Sequence, residues 1–370
     1  MSVRARLARP VCVVEGSVAR ARMRGWPDHS RLFAVGERSG WSVDEDAAHL
    51  EATARRLGHA VASTSWARAG RRQSVFLTSH FEALRPAWVE STHRLATAYL
   101  HGRPGTPGYP EFDRAYEALR AAPARFARIQ VTHAEMRDLV LGAGVDASTV
   151  HVIPIGIDIE HFPTVDAESR SSARGALGIP DGAFVVGSFQ KDGVGWAEGL
   201  EPKLVKGPDV LIGALDRARV SIPELHVLLT GPARGYVRGE LERVGIPYRH
   251  VRPKDRAELA RAYHALDAYV VASRQEGGPK GVLESLATGI PLLSTRVGQA
   301  SDIVEDGRTG FLVEAGDVDA IAAALIRLRD DRSLAGALTA AGRETAERLA
   351  YERLDPLWAR LLEGFVGADV

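Results

Sequence analysis

The chain has 370 residues, more than the about 250–300 at which a single hydrophobic core stops growing, so two domains are expected. A hydrophobic content of 45%, a charged content of 25% and a formal net charge of +0 are typical of an ordinary globular protein and exclude a strongly basic nucleic-acid binder. Cys12 is the only cysteine, so the chain forms no internal disulfide. Because no apolar run approaches the roughly 20 residues of a transmembrane helix and no signal peptide is evident, we expect a cytoplasmic protein.

Residues 1–31 carry seven arginines against two acidic residues and show no sustained hydrophobic period. We expect a loosely ordered extension that an anionic surface, such as the inner face of the membrane, would attract. Lysine is rare in the chain, since 42 of the basic residues are arginines. The five lysines are therefore worth locating: Lys191, Lys203, Lys206, Lys254 and Lys280.

Strand-like and helix-like segments alternate through residues 32–164, which we take as the first domain. The apolar run "RLFAVG" predicts a strand, and "SVDEDAAHLEATARRLG" predicts a helix with Ser42 as N-cap and Gly58 as stop signal. Further strands are predicted at "HAVAST", "SVFLTSH", "LATAYLHG", "ARIQVTH" and "VHVIPIG", with a helix at "AEMRDLVLGAGV" before the last. Such alternation predicts a parallel sheet flanked by helices.

Residues 165–350 repeat this alternation after a polar stretch rich in glycine and proline, and we take them as the second domain. Strands are predicted at "AFVVGSF", "HVLLTG", "YRHVRPKD", "DAYVVAS" and "TGFLVEAG". Helices are predicted at "GPDVLIGALDRAR", "YVRGELERVG", "RAELARAYHAL" and "VDAIAAALIRLRDD". Two Rossmann-like, doubly wound domains would face a cleft at the carboxyl ends of their strands, where ligands bind in such sheets.

Residues 351–370 have apolar side chains at three- and four-residue spacing, which predicts an amphipathic helix. We expect this helix to cross back and pack on the first domain. The residues that form its apolar face are Leu354, Leu357, Trp358, Leu361, Leu362 and Phe365.

The segment "RQEGGPKGVLE" follows the strand "DAYVVAS" and contains Glu276 and Glu284. A helix is predicted to begin near Pro279 or Gly281, and its first amides and dipole favour an anion there. A carboxylate accepts hydrogen bonds from two adjacent hydroxyls, so the two glutamates suit a sugar or ribose diol on either side of a diphosphate. The alternative, acids that only complement the helix dipole, stays open. Glycines that would let a phosphate approach are Gly277, Gly278 and Gly281.

The glutamates in "EGGPKGVLE", followed by "SLATGIPLLSTRVGQASDIVEDGRTGFLV", closely resemble the glutamate-seven-glutamate signature of family 4 retaining glycosyltransferases, which have the GT-B fold. The resemblance extends through "VTHAEMRDLV", "VIPIGIDIEHF" and "KGPDVLIGAL", over roughly residues 130 to 350. It implies that Glu276 contacts the donor sugar and that Glu284 holds the ribose of a nucleotide diphosphate-sugar. The backbone that it places near the sugar and diphosphate belongs to Gly277, Gly278, Pro279, Lys280, Gly281, Val282 and Leu283.

The family also has an arginine and a lysine on the diphosphate, after the first strand of the donor domain. In "GSFQKDGVGWAEGLEPKLVKG", Lys206 matches that lysine, but the arginine is absent and an insertion intervenes. Lys191 is the candidate replacement, and Lys280 is a further candidate for the phosphates. A lysine can neutralise a leaving phosphate, although it lacks the bidentate fork of arginine.

In the first domain, His101 in "AYLHG" matches the family's histidine near the donor sugar. Weaker candidates for acceptor binding are His80 in "LTSH" and His133 in "VTHAEM". The family's glycine-rich loop is poorly matched, and Gly36 and Gly40 in "VGERSGW" are its nearest equivalents.

The resemblance implies a metal-independent retaining glycosyltransferase in which His101, Lys206 and Glu276 are catalytic. Its donor would be a nucleotide diphosphate-sugar, without a further cofactor, and its acceptor a glycan, a lipid-linked glycan or a small molecule. Two Asp-x-Asp sequences, at 44–46 and 317–319, open predicted helices, where acids are favoured, so we infer no metal site. The alternatives are a catalytically silent nucleotide-sugar-binding partner, motivated by the missing arginine, and an epimerase with the GT-B fold.

Overall fold

The chain folds into two compact units, seen in a computed structural model that describes residues 18–36, 42–89 and 91–367. The first unit comprises the described residues up to Ile153 together with those from Leu354 onward, and the second is Pro154–Arg353. Each unit is built on one parallel sheet, as predicted. No helix in the described part of the chain is both long and apolar enough to cross a membrane.

The sheet of the first unit has five parallel strands in the order β1-β2-β3-β4-β5. Val61 forms an isolated bridge with Leu32 on the edge of β1 that does not pair with β2, so the winding direction changes at β1. The strands are β1 (Leu32–Val35), β2 (Ser74–Leu77), β3 (Arg94–Ala98), β4 (Arg128–Val131) and β5 (Val150–Val152).

The predicted strand "HAVAST" is wrong, because only Val61 pairs with the sheet. Further along β1, the Ala34 carbonyl is bonded by a side chain and not by a strand: Thr64 Oγ1 donates to it at 2.8 Å. The chain then turns into a 3-10 helix, Thr64–Ala69. A side-chain hydrogen bond to the backbone has thus replaced continued strand pairing.

The helices of the first unit include one that the sequence analysis missed, Pro110–Ala121, which starts on a proline after a stretch rich in glycine and proline. The predicted helix from Ser42 ends as expected at Gly58, which has φ +85°. The Ser42 side chain is not described, so its capping role stays a prediction. The helices are residues 18–23, Ser42–Arg56, Pro86–Val89, Pro110–Ala121, Ala134–Gly142 and Asp355–Leu362, with 3-10 turns at Thr64–Ala69, Glu82–Leu84, Pro123–Arg125, Ala147–Thr149 and Tyr351–Leu354.

Residues 18–31 are part of the first unit, so the expectation of a loose extension is wrong for them. Ala19 is buried, and Met23 and Trp26 pack against the core. Gln73 Nε2 donates to the Pro27 carbonyl at 2.9 Å, which ties this segment to the start of β2. The basic residues 1–17, with Cys12, lie outside the described residues, as does Gly40.

The C-terminal helix packs on the first unit, as predicted. Leu361, Leu362 and Phe365 are fully buried in one core cluster with Leu32 and Phe76. Because its amphipathic face completes this core, residues 354–367 are part of the first unit although the second unit precedes them in the chain.

The sheet of the second unit has six parallel strands in the order β11-β10-β9-β6-β7-β8. The chain begins in the middle at β6, adds β7 and β8 on one side and then β9, β10 and β11 on the other. The strand order therefore reverses between β6 and β9. The strands are β6 (Phe184–Ser188), β7 (Leu225–Thr230), β8 (Tyr248–Val251), β9 (Ala268–Val271), β10 (Leu292–Thr295) and β11 (Phe311–Val313).

Both faces of this sheet are covered, which explains the continuous apolar runs in its strands. Val186 and Leu229 point into one core cluster, whereas Val185 and Leu228 point into the other. A helix that the sequence analysis missed, Arg332–Arg348, packs its Ala346 into the second cluster. The helices are Ala167–Leu177, Pro208–Ala218, Gly235–Val244, Arg256–His264, Lys280–Thr288, Ala300–Ile303, Val318–Asp330 and Arg332–Arg348, with 3-10 turns at Ile159–His161 and Leu204–Lys206.

The boundary between the units differs from the sequence estimate of residue 164. Residues 154–164 belong to the second unit because their backbone is bonded there. Ile155 N–H donates to Gln299 Oε1 at 2.7 Å, and Ile157 N–H donates to the Leu349 carbonyl at 3.1 Å. The polar composition of this segment reflects its place at the surface of the second unit. The chain passes from the first unit to the second at its start, at Pro154.

Candidate functional site

The candidate site lies in the second unit, at the carboxyl ends of β6 and β9, where the strand order reverses. Ligands of open parallel sheets bind at such a switch point. Two segments leave the sheet there: residues 189–207 after β6, and residues 272–279, which lead into the helix Lys280–Thr288. They contain most of the residues that the sequence analysis assigned to donor binding.

Lys206 and Glu276 meet at this edge. Lys206 Nζ lies 2.6 Å from each carboxylate oxygen of Glu276, and Ser273 Oγ donates to Glu276 Oε1 at 2.9 Å. Both charged side chains are largely buried, with 23% and 9% of their surface exposed. The sequence analysis assigned the two residues to different groups of one ligand, and the structure places them in direct contact.

Gly207 holds Lys206 at this place. It adopts φ +61° between the 3-10 turn Leu204–Lys206 and the helix Pro208–Ala218. A Cβ there would overlap the Ala272 carbonyl, coming within 2.8 Å of its carbon. Glycine therefore allows the segment that carries Lys206 to touch the backbone that leads to Glu276.

Glu284 lies one turn into the helix Lys280–Thr288 and is buried. Its Oε1 accepts from Arg256 Nη1 at 2.9 Å, and its Oε2 accepts from Tyr263 Oη at 2.9 Å. Burial, with the nearby Glu284 carboxylate, raises the pKa of Tyr263 well above its usual value, so this hydroxyl stays a donor. Neither partner was predicted; their spacing of seven, which places them on one face of the helix Arg256–His264, was the available signal.

The loop glycines have a packing reason that the sequence analysis did not foresee. A Cβ on Gly281 would come within 2.7 Å of Tyr269 Cζ, and one on Gly278 would come within 2.7 Å of Gln299 Oε1. The Gly277 carbonyl accepts from Gln299 N–H at 2.9 Å. Close contact within the protein therefore requires glycine at 278 and 281 whether or not a phosphate also approaches.

One of the predicted backbone contacts needs correction. Val282 N–H already donates to the Pro279 carbonyl at 2.9 Å, so this amide is engaged within the turn. The side chains of Val282 and Leu283 are buried in the core. The helix itself begins at Lys280, with Pro279 as N-cap. Its first turn is thus placed beside Glu276 as the sequence analysis expected, but with fewer available amides.

Gln190, which precedes Lys191 in the chain, contacts the backbone of Lys206. Gln190 Nε2 donates to the Lys206 carbonyl at 2.9 Å, and Ser273 Oγ lies 3.4 Å from Gln190 Oε1. Lys191 is half-buried, with Nζ 4.4 Å from the ring centroid of Trp196. Burial, and next the charge of Lys206, lower the pKa of Lys191.

In the first unit, His80 and His101 lie together at the carboxyl ends of β2 and β3. Their ring centroids are 6.1 Å apart, and His80 stacks on Tyr99 at 4.0 Å. Burial lowers the pKa of His80 well below its usual value, so its ring is neutral. Phe112 lies edge-on to His101 at 5.8 Å, which gives the histidine an aromatic wall.

His133 is buried after β4, where its Nδ1 lies 3.0 Å from Thr132 Oγ1. Its Nε2 is 3.9 Å from Glu135, which pairs with Arg103, two residues after His101. Gly36 follows β1 directly, at the same edge of the sheet. Gly36, His80 and His133, the described residues predicted for the acceptor side, thus all lie after the carboxyl ends of strands, at the same edge of the sheet.

No group of three or more histidine, cysteine, aspartate or glutamate side chains is arranged to hold a metal ion within residues 18–36, 42–89 and 91–367.

Comparison with known proteins agrees with this geometry. Residues 193–331 match the sequence model of a family described as glycosyl transferases group 1. The matched segment runs from the loop after β6 to the end of the helix Val318–Asp330 and includes Lys206, Glu276 and Glu284. This match supports the class that the resemblance implied, the glycosyltransferases.

The chain is similar to proteins named D-inositol 3-phosphate glycosyltransferase. The one from Corynebacterium urealyticum is 30% identical over 279 residues, 72% of this chain and 63% of that protein. The one from Stackebrandtia nassauensis is 32% identical over 286 residues, 72% of this chain and 61% of that protein. The chain thus spans less than two thirds of the length of these relatives.

Solved structures identify the fold. The Anabaena protein HepE in complex with UDP and glucose matches with a TM-score of 0.72 and 16% identity, over 91% of this chain and 100% of that one. Sucrose-phosphate synthase from Thermosynechococcus elongatus matches with a TM-score of 0.63 and 21% identity, over 78% and 73% of the two chains. These matches support the family prediction, since residues 193–331 match the group 1 glycosyl transferases, and the solved structures show that the fold is GT-B.

Proposed function

We propose that the chain is a retaining glycosyltransferase that transfers a sugar from a nucleotide diphosphate-sugar to an acceptor without a metal ion. The observation that carries this proposal is the pairing of Lys206 with Glu276 at the switch point of the second sheet. A cation for a phosphate and a carboxylate for sugar hydroxyls are here side by side. Glu284, on the following helix, supplies a second carboxylate.

The donor would lie along the start of the helix Lys280–Thr288. Glu284, held by Arg256 and Tyr263, keeps a fixed orientation in which it can accept hydrogen bonds from the ribose diol. Lys206 and Lys191 would face the diphosphate, together with the positive end of the helix. Glu276 would then accept from hydroxyls of the sugar.

The reaction breaks the bond between the anomeric carbon and the diphosphate oxygen, and the electron pair leaves with the diphosphate. Lys206, half-buried and fixed by Glu276, would stabilise that charge without reorganising. The acceptor hydroxyl forms the new bond at the anomeric carbon, on the face that the diphosphate leaves. Its proton passes to the departing diphosphate oxygen, and the configuration is retained. His101, in the aromatic cluster of the first unit, would orient the sugar, and His80 and His133 would lie on the acceptor side.

UDP-glucose is the first donor to test, and UDP the first nucleotide to test for binding, because HepE has been solved with both. Inositol 3-phosphate is the first acceptor to test, because the relatives are named for it.

The test begins with binding of UDP, GDP, dTDP and ADP, measured by thermal shift and calorimetry. A ligand at 100 times its dissociation constant stabilises by about 2.7 kcal/mol, a shift of roughly 5–10 °C for a unit of this size. Glu284→Ala should abolish the shift. The matched control is Glu224→Ala, since Glu224 precedes β7 at the opposite edge of the same sheet and pairs with Arg329. If no nucleotide stabilises the wild type, the donor site is wrongly assigned.

Transfer is then followed by mass spectrometry with UDP-glucose and a panel of acceptors, with and without EDTA. NMR of the product at the anomeric proton decides retention. Loss of activity in EDTA, or an inverted product, would contradict the corresponding part of the proposal.

A second candidate is a nucleotide-sugar-binding partner without transferase activity. The missing family arginine favours this candidate, since the side chain that contacts the Lys206 backbone is the neutral Gln190. Tight binding of a nucleotide-sugar with no turnover across acceptors would support it. Turnover that disappears in Glu276→Ala would exclude it, and a changed sugar still attached to the nucleotide would indicate an epimerase.

A further inference from the structure

The loop between Lys191 and Lys203, here called the arm, is anchored by a buried ion pair that no part of the donor assignment uses. We propose that Asp192 and Arg234 are positioning residues that hold the arm, and with it Lys191, so that Lys191 faces the diphosphate of the donor. This inference rests on the proposed function for the identity of the ligand. The positioning itself rests on the contacts of the pair.

The pair is fully enclosed. Arg234 Nη2 lies 2.9 Å from Asp192 Oδ2, and the two side chains are 0% and 1% exposed. A buried ion pair adds little stability by comparison with an apolar pair, because desolvation offsets the attraction. Burial in fact raises the pKa of Asp192 above its usual value, in spite of the nearby guanidinium. Stability alone therefore does not explain the pair.

Arg234 joins the ends of two strands to the base of the arm. Its Nη1 donates to the Ser188 carbonyl, the last residue of β6, at 2.5 Å and to the Thr230 carbonyl, the last residue of β7, at 3.1 Å. The guanidinium thus links both strand ends to Asp192, so the position of Asp192 depends on the positions of the two strand ends. A planar group with five fixed donors suits such a role better than a flexible ammonium.

The arm is a closed loop with few degrees of freedom. Lys203 N–H donates to the Asp192 carbonyl at 2.7 Å, and Val194 N–H donates to the Glu201 carbonyl at 2.9 Å. Its far end is tied to the residue after Arg234, since Gly235 N–H donates to the Glu198 carbonyl at 2.6 Å. A displacement at Asp192 would therefore move the whole arm.

The backbones of the arm and of the segment around Arg234 are in direct contact. Gly199 has φ +69°, and a Cβ on it would come within 2.6 Å of the Ala233 carbonyl carbon. Ala233 itself adopts φ 56°, an uncommon conformation for a residue with a side chain. Strained backbone persists where the surroundings over-determine it, and such places cluster at functional sites.

The arm carries Lys191 and leads directly to Lys206. Trp196 of the arm covers Lys191, with Nζ 4.4 Å from its ring centroid. Lys206 N–H donates to the carbonyl of Lys203, the last arm residue, at 2.8 Å. The base of the arm thus sets the position of both cations relative to Glu276.

The same sheet offers a matched control at its opposite edge. Arg174 Nη2 lies 2.6 Å from Asp267 Oδ2, and the Arg174 side chain is also buried. Asp267 precedes β9, and its Oδ2 accepts from the N–H of Val185 near the start of β6. This pair has the same residue types and ties strand ends in the same way, but at the amino edge, away from the candidate site.

The experiment compares Asp192→Asn and Arg234→Met with Asp267→Asn and Arg174→Met in the full chain. Binding of UDP and of uridine is measured by calorimetry. UDP differs from the nucleoside uridine by the diphosphate, so a misplaced Lys191 should weaken binding of UDP but not of uridine. We expect the Asp192 and Arg234 variants to lose UDP affinity by about 10- to 100-fold, the range that misplacement of a binding group can cause. Both control variants should keep the wild-type ratio of the two affinities.

Wild-type UDP affinity in Asp192→Asn, or an equal loss in Asp267→Asn, would overturn the proposal. Asp192→Asn keeps the shape of the side chain, so the test holds even if Arg234→Met fails to fold. Amide exchange at Val194 and Gly235 reports the positioning without any ligand. If the wild type binds no nucleotide, the proposed function fails, while faster exchange in Asp192→Asn than in Asp267→Asn still supports the positioning role, and equal exchange overturns it.

Discussion

Gly207→Ala tests the geometry of the candidate site through a single methyl group. The new Cβ would overlap the Ala272 carbonyl, within 2.8 Å of its carbon, and both partners are backbone. An alanine at φ +61° adds a conformational cost of roughly 1–2 kcal/mol. Relief of the overlap by backbone movement adds about 1–3 kcal/mol. The second unit should therefore lose roughly 2–5 kcal/mol of unfolding free energy, or roughly 4–20 °C in its melting temperature.

The assay is thermal unfolding with and without UDP, with Gly239→Ala as the control. Gly239 lies within the helix Gly235–Val244 and has open space around its Cα, so alanine should raise stability by about 0.5–1 kcal/mol. Gly207→Ala should also weaken UDP binding, because relief moves Lys206 away from Glu276. A variant that melts at the wild-type temperature and binds UDP normally would refute the close approach described for Gly207.

Three further changes test separate parts of the site. Glu284→Gln keeps an acceptor for Tyr263 but loses the charge, so nucleotide affinity should fall by roughly 10- to 150-fold, as for a lost hydrogen bond to a charged group; unchanged calorimetric affinity would exclude the ribose role. Glu276→Gln should weaken UDP-glucose more than UDP, whereas Lys206→Met should weaken both; equal losses for the two ligands in both variants would contradict separate roles. Burial lowers the pKa of His80 well below 6.5 in the folded chain. As the pH falls, the unfolded chain therefore takes up a proton at this histidine at a higher pH than the folded chain does. The first unit should therefore lose stability as the pH falls through 6.5 toward that lowered pKa, and melts of His80→Phe should show a shallower slope; an unchanged slope would show that His80 is not the responsible group.

The sheets could be predicted from the sequence because parallel strands buried on both faces read as short apolar runs. The predicted strand "HAVAST" was wrong because a hydrogen bond from one threonine hydroxyl ends the pairing. The hydrophobic periodicity of the sequence does not indicate such a bond. The helix Pro110–Ala121 was hidden behind a stretch rich in glycine and proline, which favours turns. Local pattern thus predicted the elements with regular burial and missed those whose ends depend on side-chain chemistry.

The part of the candidate site that lies in one contiguous segment could be predicted from the sequence. Glu276 and Glu284 share a contiguous motif, and their neighbour Lys206 is one of five lysines. The partners that orient them come from elsewhere in the chain and were not predicted, as with Arg256 and Tyr263. Asp192 and Arg234 were equally invisible, because an aspartate and an arginine 42 positions apart show no spacing signal.

The order of the chain in the first unit has a consequence for biosynthesis. Leu361, Leu362 and Phe365 complete the core around Leu32 and Phe76, yet all of Pro154–Arg353 is translated between the two sets. The second unit is continuous, so it can fold as soon as it leaves the ribosome. The first unit must wait with an unfilled apolar face, and a ribosome that stalls after Arg353 would release a chain with one finished unit and one exposed core.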